Sequence, residues 1–160
     1  MAKIEEFVDD LKKYLLSSIP ALDSNFSSLV VNDAYESENK PNPPEIKVMV
    51  FDFSEDNQTN SYNEGENITN ISCNIYAYAN AMKLNGNEDK SNAVITTTAL
   101  SSDIMNVLSK NKFALNNPNI IRSTRMTYTG AQAIKDTSCY MAVAVYEFKI
   151  INNYIKVYNR

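Results

Sequence analysis

The sequence predicts an α+β domain, with an antiparallel or mixed sheet of about four to five strands packed against two helices. Three observations predict it. Apolar residues recur at helical spacing in two blocks and with strand-like alternation in four others. The blocks follow the order helix, strand, strand, helix, strand, strand. The turn-forming residues Gly65, Gly86, Gly130, Pro20, Pro41, Pro43, Pro44 and Pro118 all fall between blocks. With 160 residues, 44% hydrophobic and 21% charged, the chain has the size and composition of one domain. That domain spans 1–160, with a long polar loop expected at 54–67 and a C-terminal extension at 152–160.

Ala2 to about Ser18 make the first helix. Ile4, Phe7, Val8, Leu11 and Leu15 line one side, and Glu5, Asp9, Asp10, Lys12 and Lys13 the other. The acids mostly precede the bases, as the helix dipole prefers, and "SSIP" is expected to end the helix because the residue before proline avoids α geometry. Leu29 to Val31 read either as a short strand or as packing within a connection, and "ESENKPNPP" reads as loop. "EIKVMVFDF", Glu45 to Phe53, alternates Ile46, Val48 and Val50 against Lys47, Met49 and Phe51. "ITNISCNIYAYAN", Ile68 to Asn80, sets Ile71, Cys73 and Ile75 against Tyr76 and Tyr78. These two strands make an antiparallel hairpin whose extended tip is the polar stretch Ser54 to Asn67.

Asp89 to Lys110 hold the second helix, with Leu100, Ile104, Val107 and Leu108 on one face. Ser91, Ser101 and Ser102 are alternative N-caps. The β-branched run Thr96 to Thr98 leaves open a start as late as Ser102. "IIRSTRMTY", Ile120 to Tyr128, is the third strong strand, and "TGAQAIKD" leads to the fourth, "SCYMAVAVYEFKII", Ser138 to Ile151. That strand is about 46 Å long at 3.3 Å per residue. One of its faces reads Tyr140, Ala142, Ala144, Tyr146, Phe148, Ile150; the other reads Cys139, Met141, Val143, Val145 before turning charged at Glu147 and Lys149. A strand usually keeps one wet face. Here both faces need a cover.

The absence of histidine excludes Ser-His-Asp and Cys-His catalysis and removes the commonest metal ligand. A formal charge of −4 with scattered lysines argues against nucleic-acid binding through phosphate neutralisation. No stretch reaches the roughly 20 apolar residues of a membrane span. The N-terminal acids occupy places where a signal peptide needs bases, so residence in the cytosol or on a particle built there is expected. The sequons at Asn25, Asn57, Asn67 and Asn70 then carry no weight. Cys73 and Cys139 sit in apolar strands and are expected to be reduced and buried; a bridge would require neighbouring strands.

The motif "VMVFDFSED" resembles the nucleophile loop of haloacid-dehalogenase-like phosphatases, with Asp52 at the strand end. However, Ser54 stands where the second aspartate is needed, and the repeating βαβ units are missing. Asp52, Glu55, Asp56, Glu64 and Glu66 match no calcium-loop spacing. No catalytic residue, metal or other cofactor is expected. Arg122 and Arg125, three apart on one strand, belong to opposite faces. Tyr76, Tyr78, Tyr140 and Tyr146 concentrate on the two best strands. Base stacking would want positive charge around them, whereas protein interfaces favour such aromatics without it.

Taken in order over residues 2 to 151, "IEEFVDDLKKYLL", "EIKVMVFDF", "NISCNIYAYA", "DIMNVLSK", "NIIRSTRMTY" and "CYMAVAVYEFKI" resemble the tail terminator, or tail completion, proteins of tailed bacteriophages and phage-tail-like particles. The resemblance implies a small subunit that closes into a ring, a hexamer, on the end of the tail tube. The ring stops polymerisation and links the tube to the neck connector. Implied partners are further copies of the chain, the tail tube protein, and sheath and head connector proteins. The implied place is the virion or tail-like particle, assembled in the bacterial host cytoplasm. The alternatives are a neck or minor capsid protein of the same particle and, further off, a small hydrolase using Asp52. On the assembly reading, Tyr76, Tyr78, Arg122, Arg125, Tyr140, Tyr146 and Phe148 are candidate subunit or tube contacts. Glu55, Asp56, Asn57, Tyr62 and Glu64 belong to a docking loop that orders on assembly.

Overall fold

The computed structural model describes residues 2–34, 43–59, 64–80, 90–109, 120–135 and 137–155. In chain order these form α1 (Ala2–Leu22), a 3-10 turn (Ser24–Phe26), β1 (Val30–Asp33), β2 (Glu45–Thr59), β3 (Glu64–Asn80), α2 (Lys90–Ser109), β4 (Ile120–Ala133) and β5 (Cys139–Ile155). The strands make one five-stranded mixed sheet in the order β1-β2-β3-β5-β4. β1 runs parallel to β2, and every other neighbouring pair is antiparallel. The α+β class is as expected, with Val30 and Val31 in a short edge strand.

The helical stripe of α1 buries Phe7, Val8, Leu11, Leu15 and Ile19. The helix runs one turn past its expected stop, through Pro20. The proline removes one hydrogen bond near the helix end. However, Ile19 is fully buried, and its carbonyl accepts from the Asp23 N–H at 2.9 Å, so packing of that anchor overrides the local preference. Asp23 then caps the 3-10 turn, its carboxylate accepting from the Asn25 N–H at 3.0 Å. α2 starts at Lys90, well before Ser102. Its buried stripe includes Ala93, Thr97, Leu100, Ile104 and Leu108, and the Thr97 hydroxyl is satisfied by donating to the Ala93 carbonyl at 2.7 Å.

Both helices pack on the same face of the sheet. Ile46 and Val48 of β2, Ile71, Cys73, Ile75 and Ala77 of β3, and Ala144, Tyr146, Phe148 and Ile150 of β5 join the helical stripes in one core. Phe7 meets Phe148 edge to face, with ring centroids 5.0 Å apart. The Tyr14 hydroxyl ties α1 to α2 by donating to the Val107 carbonyl at 2.6 Å. The Lys12 ammonium ties α1 to β1 through the Asp33 carboxylate at 3.4 Å.

Three expected boundaries change. Residues 54–59 and 64–67 are strand and not loop: β2 continues to Thr59, β3 begins at Glu64, and their pairing runs out to Thr59↔Gly65; residues 60–63 of the expected loop lie outside the described residues. Residues 152–155 are not an extension but the end of β5, with Asn152 opposite Asn67 and Ile155 opposite Glu64. β4 passes Tyr128 and absorbs "TGAQA" as far as Ala133, with a register shift between Thr129 and Gln132. The physical reason is common to all three. Backbone pairing needs only a partner strand in register, and polar residues join a ladder that apolar neighbours have already aligned. The cysteines also follow from the register. β3 and β5 are neighbours, but Cys73 lies opposite Tyr146 and Cys139 opposite Asn80, so the thiols are about 23 Å apart along the strands. Both are free and buried, and burial pushes both thiols up from the ordinary range.

One acid opposes this packing. The carboxyl of Asp103 in α2 is pushed up by burial and further by the charge and hydrogen bond of Asp23, and its Oδ2 has no hydrogen-bond partner among the described residues. A carboxyl raised in the folded state contributes most below its unfolded pKa of about 3.9, and that contribution is lost as pH rises through the folded value. Asp103→Asn is therefore expected to raise stability at pH 7 by up to about 1 kcal/mol. The gain should shrink as pH falls towards about 4, which thermal melts at the two pH values will check.

Candidate functional site

With both helices on one face, the register defines what the second face carries. Its rows read Glu45, Tyr78, Met141, Gln132; then Lys47, Tyr76, Val143, Thr129; then Met49, Asn74, Val145, Thr127; then Asp52, Ser72, Glu147, Thr124. The middle of this face is apolar and aromatic. Met49, Tyr76, Met141, Val143 and Val145 are all half-buried, and neither helix packs over them.

One corner of the face is closed. Glu45, Lys47 and Tyr78 are buried there. The Asn32 amide donates to the Glu45 carboxylate at 2.7 Å, and the Lys47 ammonium lies 5.6 Å from the centre of the Tyr78 ring. Tyr78 stacks on Tyr76 at 6.4 Å, and the Asn74 amide donates to the Tyr76 hydroxyl at 3.3 Å. Burial pushes the Tyr78 phenol up to about 12, with Tyr76, Glu45 and Cys139 adding to the effect. It therefore stays neutral at physiological pH. A flat patch of rings, methyls and thioethers with satisfied polar tips is the chemistry of a protein contact. The last row, Asp52 to Thr124, is polar.

The predicted contact residues divide. Tyr76 and Tyr78 lie on the second face. Tyr146 and Phe148 do not serve as surface contacts: at 2% and 0% exposure they are core, beneath the helices. Alternation shows which residues share a face but not which face the helices choose, and these two rings belong to the core beneath the helices, with Phe148 meeting Phe7 of α1. The Tyr146 hydroxyl is also pushed up to about 12 by burial, partly offset by the Arg125 charge. Tyr140 is half-buried between Ala79 and Ala133 in register. Arg125 pairs with Tyr146 and Arg122 with Lys149, so their register positions belong to opposite faces, as their spacing predicts. Arg125 is exposed, its guanidinium 5.6 Å from the Tyr128 ring.

The predicted docking loop is instead a paired ribbon. Glu55, Asp56 and Asn57 lie in β2 opposite Thr69, Ile68 and Asn67, and Glu64 opens β3. Tyr62 lies outside the described residues. Asp52 is not at a strand end; it is exposed in mid-strand opposite Ser72, just after a bulge at Phe51. Among the described residues, no three acids or cysteines gather as a metal site would require. Sequence reasoning missed the exposed rim residues Phe51 at 51%, Phe53 at 43%, Met126 at 57% and Tyr128 at 38%. The one signal for Phe51 was the apolar pair Val50-Phe51, which breaks alternation where the bulge falls.

Comparison of the chain with models of known protein families and with curated proteins finds no match.

The two faces of β5 differ in what they tolerate. Val143→Asp, on the second face, is expected to cost about 1 kcal/mol, the span of strand propensities. Ala144→Asp, one residue on, buries a carboxylate beneath the helices and is expected to prevent folding. Urea unfolding of the two variants makes the comparison.

Proposed function

We propose that this chain is an assembly subunit that forms a ring on the end of a phage or phage-like tail tube, stops its polymerisation and links it to the neck connector. The observation that carries the reading is that, among the described residues, the helices cover one side of the sheet only, with the half-buried Met49, Tyr76, Met141, Val143 and Val145 on the other. A face of this chemistry on a small domain marks a contact with other protein. In a ring subunit it meets the neighbouring copy or the tube.

Dimensions support the same reading. β5 has 17 residues and spans about 56 Å, whereas the 21 residues of α1 span about 31 Å. Neither helix can cover the full strand length. The distal ends of β2, β3 and β5 thus form a three-stranded ribbon that suits reaching along a tube. The partners on this reading are further copies of the chain, the tail tube protein, and sheath and head connector proteins. The place is the virion or tail-like particle in the bacterial cytoplasm. A neck or minor capsid protein would use the same face at another station of the particle. A hydrolase reading asks for a concave acidic site around Asp52, and an exposed mid-strand carboxylate on a flat row of Ser72, Glu147 and Thr124 offers little support for it.

Electron microscopy of particles from the producing strain, with and without this gene, tests the proposal. Tubes of uncontrolled length, or tails that fail to cap or join heads, are expected in the deletion. Unchanged particles would overturn the tail-end role.

A further inference from the structure

We infer that copies of this chain associate head to tail through the two opposite edges of the sheet, β2 of one copy against β4 of the next. This rests on the ring-forming role proposed above and names the surfaces that would close the ring.

The first observation is that, among the described residues, both edges lack a partner strand over much of their length. β1 pairs only with Glu45 to Val48 of β2. Beyond it, residues 51–55 of β2 are all exposed, among them Phe51 and Phe53. On the other side of the sheet, residues 124–130 of β4 are all exposed, including Met126 and Tyr128. Apolar side chains on an open strand edge are a template for another chain.

The second observation is charge. From Met49 to Thr59, β2 carries Asp52, Glu55 and Asp56 and no basic residue, while β4 carries Arg122 and Arg125 and no acid. The register makes the two sets overlap: Asp52 lies on the row next to that of Arg125, whereas Glu55 is level with Ile120. Asp52 shares its row with Thr124, Ser54 shares its row with Arg122, and Val50 shares its row with Arg125. A copy displaced sideways therefore brings its acidic edge level with the basic edge of its neighbour. Two β2 edges, or two β4 edges, would repel each other.

The third observation is direction. β2, β3, β5 and β4 alternate in direction, so β2 and β4 run opposite ways. A sideways copy presents its β2 antiparallel to β4, the more favourable pairing. Contacts between two different edges are heterologous and close into a ring when a rotation relates the copies. The three register shifts in β4 prevent a long backbone ladder with the next copy. The contact is thus carried by charged and apolar side chains of residues 51–55 and 124–130.

Charge reversal on the full-length chain tests this. Sedimentation velocity at up to about 1 mM protein and about 0.01 M ionic strength, where the screening length is about 30 Å, should show wild-type oligomers that weaken as salt rises. Asp52→Lys and Arg125→Glu should each weaken association at least about tenfold. The double variant should recover it, and so should an equimolar mixture of the two single variants, because each then offers the edge the other lacks. Circular dichroism checks folding, and Asp52→Asn and Arg125→Gln, with intermediate losses expected, serve if a reversal fails to fold. A monomeric wild type at about 1 mM, unaffected single variants, or a mixture that does not recover would each overturn the edge pairing. Failure of the capping role reads out separately. If deletion of the gene releases tube length but Asp52→Lys still caps tubes, the edge pairing is wrong and capping stands. If deletion leaves particles unchanged, capping is wrong whatever sedimentation shows.

Discussion

The β3–β5 ladder, unbroken in register from Glu64↔Ile155 to Asn80↔Cys139, is the constraint on which the other parts depend. It fixes which residues share a face: Ile71, Cys73, Ile75 and Ala77 with Phe148, Tyr146, Ala144 and Ala142 on one side, and Ser72, Asn74, Tyr76 and Tyr78 with Glu147, Val145, Val143 and Met141 on the other. A slip of one residue would exchange the two sets. β2 and β4 are then added outside this pair, and both tolerate irregularity. β2 has one register shift, between Val50 and Asp52, and β4 has three.

Two helices over a sheet with such long strands leave surface to spare. Phe7 of α1 reaches across to Phe148 of β5, and the stripes of both helices converge on the middle of the sheet. The described buried residues of β3 run from Thr69 to Ala79, and the strand continues to Glu64 on its N-terminal side. What stabilises the fold and what the proposed role would offer to partners are therefore different faces of the same strands. Substitutions that look alike in sequence, such as those at Val143 and Ala144, have different physical meanings for that reason.

Much of this fold was legible in the sequence, and what was not follows a pattern. The helical stripe at Phe7, Val8, Leu11 and Leu15 and the alternation in β3 and β5 gave both helices and the central strands, because burial imposes a period on apolar residues. Residues 57–59 and 64–65 gave no such period, and the pairing of 64–65 with β5 depends on a strand distant in sequence. Ile19 before Pro20 is a second instance, since a local preference yielded to a tertiary anchor. The candidate surface was half legible. Tyr76 and Tyr78 could be named from strand position, but nothing local separates them from Tyr146 and Phe148, which the helices cover. The rim formed by Phe51, Phe53, Met126 and Tyr128 depends on strand order and on bulges, and a single sequence reports neither.

Under the proposed role, the sheet surfaces that neither helix covers among the described residues meet other molecules in an assembled particle. Amide hydrogen exchange, compared between the free subunit and the subunit incorporated in particles, tests this most directly. If the sheet assembles through its edges and second face, amides in residues 51–55 and 124–130 should slow by at least about tenfold in the particle, because edge amides exchange by local opening in the free chain. Equal exchange at both edges in the two states would contradict assembly through the sheet and turn attention to the helical side.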